Sequence, residues 1–160
     1  LQKLLLHENE HIRSWSIQLL LENKDISVES LSALENMALK EFSPLVRLYL
    51  TAGLMRLPLG QRWKILEILS GKEEDIKDHN LPLMLWYAAE PLAELNMERL
   101  IGIAESTKMP QFLKFTIQRI GAINSEYSKK VLKALALRLG HQHDNHENVR
   151  LIEKLTTANP

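Results

Sequence analysis

The chain has 160 residues, 45% of them hydrophobic and 25% charged, and its twenty basic and twenty acidic side chains cancel. That composition suits one soluble folded unit with a continuous core and gives no domain-wide positive field for a phosphate backbone, so nucleic acid is not an expected partner. No apolar run reaches the roughly 18–20 residues of a membrane helix, no targeting pattern opens the chain, and the lack of cysteine removes disulfides, thiolate metal sites and c-type haem attachment from this segment.

The chain opens at Leu1 in the apolar run LQKLLL, without a methionine, and reads as a piece of something longer. His7-Glu8-Asn9-Glu10-His11 then matches H-E-x-x-H, in which two histidines one helical turn apart hold zinc and the glutamate activates water. The motif falls where a helix begins rather than inside one, so the preferred reading is a connector, with zinc hydrolysis a remote alternative. Helical spacing of apolar residues follows almost everywhere, and strand alternation is absent. Ser27 is placed to cap a helix to about Lys40; Gly60 opens one to about Ser70; Asn96 caps one to about Ser106, and Ser125 one to about Leu139. Pro44, Pro82 and Pro110 sit where a first helical turn tolerates proline.

Between these helices a register repeats. Ile12, Trp15 and Leu20 correspond to Val46, Tyr49 and Leu54, then to Met84, Tyr87 and Leu92, then to Phe112, Phe115 and Ile120. Each set is large and apolar, which predicts a buried face on each helix and puts the aromatic column in the core. A fifth set, Val149, Ile152 and Thr157, is incomplete. Arginine follows the first apolar position as Arg13, Arg47 and Arg150, while Leu85 and Leu113 stand there in the other two copies. Arg13 and Arg47 are expected to form a polar ladder between successive units, with acidic partners that sequence alone does not name. The predicted fold is all-α: one domain over residues 1–160, an α-solenoid of about four antiparallel helix pairs plus a partial one.

Three stretches carry a resemblance. SPLVRLYLTAGLMRL (43–57) and NEHIRSWSIQLL (9–20) resemble second helices of HEAT repeats, with a small or acidic turn, valine and arginine before an apolar face. With DHNLPLMLWYAAEPL (78–92) they resemble, over about residues 5–120, the HEAT region of large bacterial haem-binding proteins of the planctomycete type, often labelled membrane-bound dehydrogenases. In that family a β-propeller precedes the region and a cytochrome c domain with C-x-x-C-H follows it. The resemblance implies a periplasmic or envelope location. It also implies that haem sits in a separate domain, with no cofactor in this segment, and that the partners are proteins or neighbouring domains. The function expected is a noncatalytic spacer and docking scaffold; the alternative is a segment lining the interface of a propeller–cytochrome electron-transfer protein.

Other candidates remain. His141, His143 and His146 lie close enough in sequence to take a metal adventitiously, with Asp144 adding an oxygen; the simpler reading is a polar loop with Asp144 or Asn145 as a cap. Asp78, His79 and Asn80 hold half of a general-base arrangement but no nucleophile, so they read as a connector in which Asp78 or Asn80 caps the next helix. Pro91 lies inside the central helix, where its ring clashes with the carbonyl of Tyr87 and predicts a bend. Glu90 and that carbonyl are expected near a change in curvature, where a partner would fit.

Overall fold

The computed structural model describes residues 1–22, 25–123, 125–140 and 146–157, and the described residues form helices and turns without a strand. The helices are α1 (Glu10–Leu20), α2 (Val28–Lys40), α3 (Pro44–Leu54), α4 (Trp63–Ser70), α5 (Leu81–Ala89), the single turn α6 (Leu92–Leu95), α7 (Met97–Ser106), α8 (Pro110–Ile123), α9 (Glu126–Leu139) and α10 (His146–Thr157). Short 3₁₀ turns cover Gln2–Leu6, Leu59–Gln61 and Glu73–Asp75. No described helix is long and apolar enough to cross a membrane.

Most starts follow from the chemistry of helix caps. Ser27, Ser43 and Ser125 each accept a hydrogen bond from the backbone N–H three residues on, and Asn96 accepts one from Arg99 N at 3.0 Å. Each such bond satisfies an orphan donor of the first turn and contributes about 1 kcal/mol. Ser125 and Ser128 close a reciprocal capping box. Before α5 it is Asp78 that caps: its Oδ1 accepts from the N–H groups of Asn80 and Leu81, both at 2.8 Å. Gly60 does not open an α-helix. It lies in the 3₁₀ turn Leu59–Gln61, and α4 begins at Trp63.

Where a bend is expected at Pro91, the helix is interrupted. α5 ends at Ala89 and α6 resumes at Leu92, with Glu90 and Pro91 still in right-handed helical backbone. A three-residue Ala93 N–H to Glu90 O bond of 3.1 Å, of the 3₁₀ type, bridges the junction.

Packing arranges the helices in two files. α1 packs on α3, α3 on α5, α5 on α8 and α8 on α10, while α2 packs on α4 and α4 on α7. One continuous apolar core lies between the files, with Leu34, Leu50, Leu66, Leu85, Leu100 and Phe112 wholly buried.

The aromatic column does not line that core as the spacing predicted. Trp15 is 59% exposed and Tyr87 52%, and Tyr49 and Phe115 are only partly buried. The reason is geometric: positions i, i+3 and i+8 span about 140° of a helix at 3.6 residues per turn, and the i+3 position is one edge of that arc. In α1 the buried side is marked instead by Ile17 and Leu21, four residues apart. Trp15 and Tyr87 therefore lie on the outer flank of α1 and α5, while Tyr49 and Phe115 pack, partly buried, against the core.

Candidate functional site

Two arginines and two carboxylates connect the first units by one repeated arrangement. Arg13 forks onto Glu41, Nε to Oε2 at 2.9 Å and Nη2 to Oε1 at 2.7 Å, and its Nη1 donates to the carbonyls of His7 and Glu8. Arg47 forks onto Asp75, with Nε to Oδ2 at 2.6 Å, and its Nη1 donates to the carbonyl of Glu41 at 3.0 Å. In both, the acid lies 28 residues after the arginine and the accepting carbonyl six residues before it. The ladder expected from sequence is present, and Glu41 links its rungs: its side chain serves Arg13 and its carbonyl serves Arg47.

The rungs differ in depth. Arg47 and Asp75 are each 2% exposed, so theirs is a desolvated pair. Glu41 is buried while its partner Arg13 reaches the surface. Burial pushes the Glu41 carboxyl upward, but hydrogen bonds from Arg13 and from the N–H groups of Ser43 and Phe42, with the Arg13 charge, outweigh it and hold the carboxyl below its ordinary value. A lowered folded-state pKa gives stability that is present above the unfolded value and lost as pH falls through the folded one. Acidification from neutral pH to about pH 3, below the ordinary carboxylate range, is expected to lower the melting temperature more in the natural chain than in Glu41→Gln, as scanning calorimetry would read.

Further along, leucine replaces arginine. Leu85 and Leu113 hold the ladder positions in α5 and α8, and both are buried. The polar link reappears with reversed polarity across the Pro91 interruption. Glu90 and Glu94, on either side of it, both accept from Arg119 of α8, at 2.6 and 3.3 Å. The Glu90 carboxylate is thus engaged within the chain.

Sequence reasoning missed Arg62. It is 8% exposed and donates only to backbone carbonyls, those of Leu57 at 2.9 Å, Met55 at 3.1 Å and Ala88 at 3.2 Å. The Met55 carbonyl caps the end of α3 and that of Ala88 lies in the last turn of α5, where helix dipoles are negative, while Leu57 lies in the connector after α3. Burial lowers the Arg62 pKa from the ordinary arginine value. Nothing in GQRW signals this role. Nearby, the Arg99 guanidinium stacks 4.7 Å from the ring centroid of buried Trp63.

The remaining candidates are dispersed. His7 lies before α1 in extended backbone, its Nδ1 accepting from Asn9 N at 3.0 Å, and His11 lies inside α1. H-E-x-x-H is therefore not one continuous helix. Among the described residues, no group of three or more histidine, aspartate or glutamate side chains is placed to hold a metal ion. His79 is exposed beside the capping Asp78, and Asn80 makes no side-chain cap. His146 is the first residue of α10; His141, His143, Asp144 and Asn145 lie outside the described residues.

No family model matches the chain, and no curated protein or solved structure matches it significantly.

Two surface features stand apart from the ladder. The outer flank carries Trp15, Leu19, Leu83 and Tyr87, all exposed. At the first rung, Phe42 is 91% exposed, between Glu41 and Ser43, beside a groove of ≈ 640 Å³ whose lining includes Leu5, Leu6 and Met37. The Glu41 carboxylate accepts from the backbone N–H groups of Phe42 and Ser43 and so holds the backbone at the base of that ring.

Proposed function

We propose that the chain is a noncatalytic HEAT-like α-solenoid segment that serves as a spacer and docking scaffold for a protein or for a neighbouring domain. The observation that carries this reading is the exposed aromatic flank. Large apolar side chains cost solubility when left in water, and contiguous groups of them mark interaction surfaces. Here Trp15 and Tyr87 recur at one register position of α1 and α5, on either side of α3, 59% and 52% exposed. Files of helix pairs offer extended surfaces of this kind, and the ladder holds the first two units in fixed relation.

The sequence resemblance supports a setting inside a larger haem-binding, exported protein, with haem held in another domain. Reading the coding DNA on both sides tests that setting: a propeller-like region before the segment and C-x-x-C-H after it are expected.

Docking itself is tested by placing a photo-crosslinking phenylalanine derivative at Trp15 or Tyr87 in the longest reading frame that contains the segment. Crosslinks to one defined partner, or to one defined region of the same chain, are expected. The same probe at Lys133, exposed on α9, serves as control; equal crosslinking there would sink the proposal.

A further inference from the structure

Three arginines that reach the surface hold a carboxylate, Arg13 that of Glu41, Arg119 those of Glu90 and Glu94, and Arg138 that of Glu105, while Arg56 reaches the carbonyl of Gln18 and Arg99 the ring of Trp63. Among the described residues, Arg150, between α8 and α10, pairs with no carboxylate. A pocket of ≈ 260 Å³ is lined there by Lys114 of α8 and by Glu147, Asn148, Arg150, Leu151 and Lys154 of α10. Among the described residues, the side chains of Lys114, Arg150, Lys154 and Glu147 form no ion pair. Three cations and one carboxylate thus share a small concavity in a chain whose net charge is zero.

Arg150 is also the third arginine of the repeat register, following Val149 as Arg13 follows Ile12 and Arg47 follows Val46. At the two earlier positions the chain uses the guanidinium fork to grip a carboxylate. At the third, the guanidinium lines this pocket, and among the described residues no acid pairs with it. Arg150 and Lys154 are four residues apart, neighbours on the same face of α10, where like charges repel. Lys114 adds to that repulsion from α8.

We propose that the pocket binds carboxylates of an extended acidic peptide segment on the partner, an inference that rests on the docking reading and names the chemistry of one contact. The pocket has room for acidic side chains and not for a helix. Leu151 at its wall offers apolar contact to the methylenes of a glutamate stem. Glu147 on the rim disfavours a compact dianion such as phosphate more than it disfavours single carboxylates that can spread across Lys114, Arg150 and Lys154.

The test is titration of the 160-residue chain with fluorescein-labelled hexaglutamate by anisotropy, and by amide chemical shifts for location. Saturable binding is expected, with shifts concentrated on α8 and α10 and the complex dissolving as salt screens the charges. Arg150→Glu and Lys154→Glu should each weaken it roughly tenfold, and Lys133→Glu, which makes the same change in net charge on α9, by less than about twofold. All three positions are exposed, and unchanged melting temperatures confirm that the variants fold. Equal weakening by Lys133→Glu, shifts spread over other helices, or absence of saturation would overturn the proposal. So would inorganic phosphate competing at lower concentration than the peptide, which would mark a small-oxyanion site. Crosslinks at Trp15 and Tyr87 without hexaglutamate binding would leave the docking reading standing and remove only the acidic partner.

Discussion

Asp75→Ala is expected to lower the unfolding free energy by about 3–5 kcal/mol, read as a fall in the denaturant midpoint without a change in slope. The Arg47 guanidinium is 2% exposed, and its two strongest partners are the oxygens of Asp75. Removing them leaves a buried cation with only the Glu41 carbonyl and the Glu74 carboxylate, 3.8 Å away and on a half-exposed side chain. The penalty belongs to the orphaned charge more than to the lost pair. Arg47→Met with Asp75→Leu should therefore recover most of the loss, because apolar residues of similar volume often replace a buried ion pair at little net cost. Leu85 and Leu113, the buried leucines at the equivalent positions of later units, are the chain's own precedent. A double variant as unstable as Asp75→Ala would show that the specific geometry of the rung, not its satisfaction, carries the stability.

Phe112→Ala is expected to lose about 3–5 kcal/mol, whereas Trp15→Ala should stay within about 0.5 kcal/mol of the natural chain in the same denaturation assay. Phe112 is wholly buried and meets the ring of Trp86 edge-on, with centroids 6.0 Å apart and planes at 77°. Trp86 also lies 5.9 Å from Phe115, so the three rings join α5 to α8. Deleting Phe112 opens a cavity at the centre of that contact. Trp15 instead holds most of its ring in water. A large loss at Trp15 would mean that the outer flank is packed, which would remove the main support for docking.

The contrast between these two aromatics shows what the sequence could and could not state. Helix starts were legible because a cap is a local event: Ser27, Ser43, Asn96 and Ser125 act on N–H groups three residues away. The interruption at Pro91 was legible for the same reason, since the missing donor belongs to the residue itself. The buried face was legible at Val46, Leu54, Leu92, Phe112 and Ile120, but the aromatic column was misread because a register of apolar positions fixes an arc and not which edge of it meets the neighbour. Trp15 and Phe112 hold different places in the same repeat and received the same assignment, yet one is outside and the other inside. The acids of the ladder were illegible because each lies 28 residues from its arginine, in a connector rich in other polar residues. Arg62 was invisible for a related reason: its partners are carbonyls, which every residue carries.

Glu41 occupies two rungs at once, and that sharing has a mechanical consequence. A pull applied at the two ends of the chain meets, up to Asp75, connections in which one residue anchors both the fork before it and the fork after it. At Leu85 and Leu113 the equivalent positions hold leucines, whose contacts slide with little directional resistance, and the link of Arg119 to Glu90 and Glu94 there reaches the surface. Extension under load should then begin in the later helices while the first units move as a single rigid block, so the chain would give way from one end only.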